Sequence, residues 1–195
     1  MTLSSRSKQR IAEFQATVID NPYIPHEPTE KQAKFLFQND LKEGFYGGSA
    51  GSGKSDALLM AALQYVEVSD YAALLLRRTY PQLTMPEALM DRANEWLRPT
   101  DAEWSEKTKT WTFPSGATLS FGYLQFENDK YQYQSAAFQY VGFDEVTQFT
   151  ESSYSYLFSR LRKLEGSNIP LRMRSASNPG NIGHLWVKRK FIAPS

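Results

Sequence analysis

The stretch GFYGGSAGSGKSDALLMAAL, residues 44–63, limits the fold more than any other part of the chain. A short apolar and aromatic run enters a cluster of glycines, and a helix-like run leaves it. Within it, Gly48, Ser49, Ala50, Gly51, Ser52, Gly53, Lys54 and Ser55 fit the spacing G-x-x-x-x-G-K-[ST]. Glycines let successive backbone N–H groups turn inward around phosphate oxygens, with no Cβ in the way. The following helix points its partly positive N-terminus at the same anion. Lys54 can reach the β- and γ-phosphates, and the Ser55 hydroxyl can ligate Mg²⁺. A chance match in a glycine-rich turn would not need a strand before it and a helix after it. The expected ligand is a nucleoside triphosphate.

A cradle of this kind belongs in an α/β sheet, and the rest of the chain supplies one. YAALLLR (71–77) and FQYVGF (138–143) are continuous apolar runs, as strands buried on both faces should be. LRMRSAS (171–177) reads as a further strand. PEALMDRANEWL (86–97) and ESSYSYLFSRLRKL (151–164) read as helices, and GHLWVKRKFI begins a last one. KTWTF and ATLSFGY alternate around PSG, the pattern of a hairpin. Residues 1–28 carry a short helix from Gln9 to Ile19 and then DNPYIPHEP, so they read as an N-terminal arm or linker. Thr29 is the expected N-cap of the next helix. Residues 29–195 make one domain: three layers, a mostly parallel central sheet with helices on both faces, and an inserted β-hairpin.

A triphosphate needs an acid on the metal side and a group that activates water. YVGFDE (140–145) offers both at a strand's end, with Asp144 for Mg²⁺ and Glu145 as general base. Two surface acids opening a loop would look the same. Adjacent strand residues also point to opposite faces, so the pair can share a site only if the strand ends there. Gln32 can read an adenine edge through its amide or simply face solvent.

Other features bound the function. The chain has no cysteine, hence no disulfide framework and no thiolate metal site. Its longest apolar run is far short of the ~20 residues of a membrane span. From Arg160 onward, eight basic residues face Glu165 alone. That excess suits phosphates or an acidic partner, or is a solvated basic face. Arg77 and Arg78 end a strand near the site, for DNA contact or plain strand termination. His26 and His184 are isolated. YQYQ (131–134) and the four tryptophans read as packing rather than a base-stacking platform.

GSAGSGKS, LLLRRTYPQL, FQYVGFDEVTQFTE, YLFSRLR and SASNPGNIGHLWVKRKF occur in this order. Together they resemble the ATPase domain of tailed-phage terminase large subunits, over about residues 28–195. The resemblance implies an ASCE-type P-loop NTPase, Mg²⁺-dependent ATP hydrolysis and packaging of double-stranded DNA. It implies that Gln32 senses adenine, Lys54 and Ser55 belong to the cradle, Asp144 holds magnesium and Glu145 is the base. Ser177 and Asn178 fall at the family's coupling motif, which senses γ-phosphate. The implied partners are duplex DNA, the portal protein, the small terminase subunit and further copies in a ring, with a monomer in isolation. The implied place is the host cytoplasm, away from any membrane and outside the mature virion.

Three departures matter. Ala50 stands where many members carry Arg. The stretch before Asp144 offers only Lys130 where many carry another Arg. A charge stabiliser is worth roughly 10³–10⁵ in rate; Arg160 and Arg162, on the helix after Glu145, are candidates, acting on a neighbouring subunit's site, or they line that helix's solvated face. The family's nuclease domain with its acidic cluster has no counterpart here, so no nuclease activity is expected. A helicase-like translocase and a nucleotide-gated assembly module with little turnover are the rival readings.

Overall fold

The computed structural model describes residues 4–49 and 51–193. The chain opens with helix α1 (Ser5–Phe14), which widens into a π-helical turn over Gln15–Ile19. Helix α2 (Glu30–Leu36) leads to strand β1 (Glu43–Gly47), and the cradle passes into α3 (Lys54–Leu63). Strand β2 (Ala72–Arg77), the short α4 (Tyr80–Thr84) and α5 (Leu89–Leu97) follow. Three strands come next: β3 (Glu103–Ser105), β4 (Thr110–Thr112) and β5 (Thr118–Tyr123). A 3-10 helix (Glu127–Tyr133), β6 (Tyr140–Asp144), a 3-10 turn (Val146–Gln148), α6 (Glu151–Phe158), β7 (Arg172–Ser177) and α7 (His184–Val187) with a π-helical turn over Lys188–Ile192 complete the described chain.

The seven strands form one sheet in the order β1-β7-β6-β2-β5-β4-β3. The first five positions are parallel, and β4 and β3 add antiparallel at one edge. The expected hairpin is β4–β5. Gly116, at φ +86°, closes its Pro114-Ser115-Gly116 loop, and Phe113 and Ala117 bond across it at 2.9 Å. The third strand β3 extends this edge beyond the expected pair.

Alternation along the strands builds two cores. Ala73 and Leu75 of β2 join the core beneath α3 and α5, while Leu74 and Leu76 join the core beneath α6 and α7. In β6, Tyr140 packs toward α3, and Val141 and Phe143 pack the other way. Asp144 therefore faces α3 by the same period of two. This is the three-layer arrangement expected from the sequence.

The parallel strands run with their C-terminal ends together. Gly47 pairs with Ser177, Asp144 with Ala176, and Leu76 with Phe143. The crevice outside these ends is where ligands of open α/β sheets bind.

Three expectations are corrected. The leading segment is docked on the body rather than free of it: Val18, Tyr23 and Ile24 are buried, and Asn21 donates to Leu63 O at 3.0 Å. The helix expected over 151–164 stops at Phe158. The chain there turns back to bridge Leu161 to Phe138, which takes Arg160 and Arg162 off the helix. Arg172 and Arg174 are fully buried rather than part of a basic face. Arg172 donates to Ala61 O and Asn39 Oδ1 and lies against the Tyr65 ring. Arg174 donates to Gln38 O, Leu41 O and Lys42 O, carbonyls just beyond α2. Burial and the charge of Arg172 pull the Arg174 guanidinium down to about 10. Trp96, Trp111 and Trp186 are packed into the cores, as the packing reading expected.

Candidate nucleotide site

The cradle is shaped by two left-handed glycines, Gly51 (φ +74°) and Gly53 (φ +70°). A side chain is strained at such angles, and a Cβ on Gly53 would sit 2.6 Å from Gln32 Nε2. Gly53 is also the N-cap of α3, and no side chain caps that end. The first N–H groups of the helix are thus left for a ligand, with the helix dipole behind them. Ala50 lies outside the described residues; Gly48, Ser49, Gly51, Ser52 and Gly53 surround the position.

Lys54 is buried, and its Nζ is held inside the loop. It donates to Ser49 O (2.7 Å), Gly48 O (3.2 Å), Ser52 Oγ (3.4 Å) and Asn178 Oδ1 (3.1 Å). The ammonium stands where a phosphate would need it, bound meanwhile to neutral carbonyls.

Ser55 Oγ donates to Asp144 Oδ2 at 3.3 Å. Asp144 is 1% exposed. Burial pushes its carboxyl above the ordinary carboxylate range, the Arg77 guanidinium opposes that shift, and the charge of Glu145 adds to it. Arg77 Nε lies 2.7 Å from the same Oδ2, although its N–H is not aimed well enough to count as a hydrogen bond. Two hard oxygens, from Ser55 and Asp144, suit Mg²⁺, which keeps waters and takes phosphate oxygens to complete an octahedron. Among the described residues no three His, Cys, Asp or Glu side chains converge on one point. The residues fit a metal that arrives with a nucleotide, not a self-contained cage.

Glu145 resolves the problem of adjacent residues. The strand ends at Asp144, and Glu145 takes a left-handed conformation (φ 55°, ψ 54°). That break in alternation turns its carboxylate toward the same crevice. Three donors fix it there: Ser177 Oγ (3.0 Å) and Asn178 N (3.3 Å) to Oε2, and Asn178 Nδ2 (3.4 Å) to Oε1. Asn178 therefore bridges Lys54 and Glu145. Thr147, buried behind them, shares a 2.6 Å hydroxyl contact with Ser177.

A cavity of about 390 Å³ lies over this arrangement, lined by Gly51 to Ser55, Asp56, Glu87, Arg92, Glu145 and Asn178. Arg92 pairs with Asp56 across the gap from α5 to α3. The sequence places Arg77 near the site, for DNA contact or strand termination, but not as the partner of Asp144, and nothing in it marks Asp56 or Arg92. Only the strand order puts Arg77 beside Asp144, and only the packing of α5 on α3 brings Arg92 to the cavity.

Gln32 is corrected. It is 2% exposed, its Oε1 accepts from Thr29 N at 2.8 Å, and its Nε2 donates to Gly53 O at 2.9 Å. The amide closes the capping box of α2 and braces the cradle rather than facing solvent. Arg160 and Arg162 do not join the site. They flank the bridge to Phe138, before β6 begins, and bond to nearby carbonyls of Gln134, Ser159 and Leu161. Asp144 is at the other end of that strand. Lys130 is likewise spent, on Glu127 and Ser152.

The family described as terminase large subunit, T4likevirus-type, N-terminal, matches residues 45–189. No curated protein matches the chain. Several solved structures share the fold. One is the large terminase of a thermophilic bacteriophage in complex with ADP (TM-score 0.64, 18% identity, covering 85% of this chain and 42% of that one). Others are the large terminase of bacteriophage HK97 (0.60, 10%, 89% and 38%) and the N-terminal domain of the bacteriophage phi29 DNA packaging ATPase (0.54, 16%, 83% and 86%). The chain thus spans about two fifths of the first two proteins' length. With the family matched across most of its residues, this chain belongs to the terminase large subunits, in their N-terminal domain.

Proposed function

We propose that this domain binds and hydrolyses ATP with Mg²⁺ and thereby powers packaging of double-stranded DNA into a viral procapsid. One observation carries the hydrolytic part. Lys54 and Ser55 of the cradle converge with Asp144 and Glu145 at the strand ends, and Asn178 ties the two halves together. The thermophilic-phage relative solved with ADP supports nucleotide as the ligand.

In this reading the cradle amides and Lys54 bind the β- and γ-phosphates. Ser55 and Asp144 would hold Mg²⁺, which when bound offsets phosphate charge. Glu145 orients a water on the γ-phosphorus and takes its proton. Ser177 and Asn178 aim that carboxylate. Arg160 and Arg162 lie too far along the sheet for their own site and would act only on a neighbouring molecule's nucleotide. Family membership supports duplex DNA, the portal protein, the small terminase subunit and a ring of copies as partners, and the host cytoplasm as the place of work.

The test separates binding from chemistry. Lys54→Ala should weaken ATP binding. Glu145→Gln should keep binding but lower single-turnover hydrolysis by ~10²-fold or more. Hydrolysis by the Glu145 variant at the wild-type rate would remove that residue from its role.

A further inference from the structure

The cavity over the cradle holds two cations among the described residues, Lys54 and Arg92. Lys54 is committed to loop carbonyls and to Asn178. Arg92 is differently placed. One arm of its guanidinium pairs with Asp56 Oδ1. Nη2 reaches Glu87 O only at 3.5 Å. Its Nε is shielded from water and has no partner. A shielded donor left unpaired costs about 1–3 kcal/mol; Arg92 also lines the cavity with Nη2 held only by that long contact, so the guanidinium has donor capacity that Asp56 does not use.

The position is fixed by packing. Leu89, Met90, Ala93, Trp96 and Leu97 of α5 are buried, which anchors the helix that carries Arg92. Glu87 has a left-handed backbone (φ 63°), and Asp91 Oδ2 accepts its N–H at 2.9 Å. That contact holds the rim of the cavity in place. Asp56 is two residues past Lys54, in the first turn of α3. An acid there opposes an anion at the helix N-terminus, and Arg92 offsets it.

We propose that Arg92 is a catalytic residue acting within its own chain. Its free N–H groups take oxygens of the terminal phosphate of a bound triphosphate and hold the charge that builds during transfer. The proposal rests on the ATPase reading. In the step concerned, the water oxygen bonds to the γ-phosphorus and its proton passes to Glu145. The bond from phosphorus to the β–γ bridging oxygen breaks, and its electron pair leaves with ADP. Arg92 contributes what a planar fork contributes to spread phosphate charge, which a lysine does as a point charge only. The plainer alternative is that Arg92 does no more than neutralise Asp56.

The experiment uses the whole chain, wild type and Arg92→Ala, Arg92→Lys, Asp56→Asn and Arg92→Ala/Asp56→Asn. Thermal melts establish folding. Affinities for ADP and for a non-hydrolysable ATP analogue are measured with Mg²⁺, and hydrolysis in single turnover. Arg92→Ala should lose the preference for the triphosphate over ADP and slow hydrolysis by ~10²-fold or more, as for loss of a donor to a developing anion. Arg92→Lys, which keeps the charge and the partner of Asp56, should remain well below wild type. The double variant should stay as slow as Arg92→Ala. Mixing Arg92→Ala with Glu145→Gln should give no recovery, because the defect and the base belong to one chain. Recovery in the double variant would reduce Arg92 to a neutraliser of Asp56, and recovery on mixing would place its action on a neighbour; either overturns the proposal. Wild-type chain that neither binds nor hydrolyses ATP would bring down the ATPase reading and this inference together. Brisk hydrolysis by wild type and Arg92→Ala alike would bring down this inference alone.

Discussion

Arg77→Ala should destabilise the nucleotide-free domain, because it strips a buried carboxylate of its counter-ion. Asp144 is 1% exposed and Arg77 19%, with 2.7 Å between Nε and Oδ2. With charge centres ~4 Å apart and an effective dielectric constant of ~20, the attraction is ~4 kcal/mol. The Ser55 hydroxyl stays, and the carboxyl can take a proton, so the net loss should be ~3 kcal/mol, as when one partner of a buried pair is removed. For a chain of this length that is a fall of ~6–12 °C in Tm. Urea unfolding monitored by circular dichroism gives the value directly.

The sign of the pH dependence is a second check. Asp144 already titrates above an ordinary carboxyl, and removing Arg77 raises it further. An acid whose folded pKa lies above its unfolded value binds protons more tightly in the folded state, so stability falls as pH rises through that window. The deficit of Arg77→Ala should therefore be smaller at about pH 5 than at about pH 7.5. Adding Asp144→Asn should recover most of the loss, since no charge is then left to compensate. A deficit under ~0.5 kcal/mol, ordinary for a surface site, or one that survives Asp144→Asn unchanged, would refute the counter-ion argument.

Gly53→Ala should lose ~2 kcal/mol and most nucleotide affinity, because it combines φ +70° with a Cβ 2.6 Å from Gln32 Nε2; adding Gln32→Ala should relieve the contact but not the backbone strain. Glu127 is held down from 4.5 to about 2, chiefly by Lys130, so its stabilisation is present above pH 4.5 and lost as pH falls toward 2; the Tm deficit of Glu127→Gln at neutral pH should shrink across that range. After Arg160, Arg172 and Arg174 are buried, while Arg189 and Lys190 pair with Glu151 and Glu43. Any duplex grip through this region rests on Arg160, Arg162, Lys163 and Lys188, so log K against log salt should be linear and no steeper than about −4, the same for unrelated duplexes. If Arg160 and Arg162 serve a neighbour, replacing both by Ala should lower specific activity more at high protein concentration than at low.

What the sequence made legible is what depends on near neighbours along the chain. The cradle spacing needs only a strand before it and a helix after it, and both are there. The apolar runs of β2 and β6 announce burial on both faces. What it hid depends on distant packing. Arg172 and Arg174 alternate with Met173 and Ser175, a pattern that reads as a wet edge. β7 instead lies inside the sheet, so the arginine side is covered by α2 and α3. Helical spacing continues past Phe158, but the bridge of Leu161 to Phe138 ends the helix first. Half of Gln32's burial was legible in the Thr29-x-x-Gln32 capping-box spacing, while its bond to Gly53 O, far along the chain, was not.

Glu145 shows why the site's central feature could be named from sequence but not aimed. A strand's alternation would have sent it away from Asp144. Its left-handed backbone costs of order 1–2 kcal/mol for a residue with a side chain, and that strain persists only if the surroundings hold it. Here they do, through Ser177, Asn178 N and Asn178 Nδ2. Asn178 also accepts from Lys54, so the base and the cradle cation are positioned by one amide. In the proposed function, a phosphate that drew Lys54 away would free one end of Asn178 while its other end still held Glu145. Lys54 and Glu145 are therefore joined in one hydrogen-bonded unit, and in the proposed function the loop after β7 would be the part through which occupancy of the cradle is felt by the base.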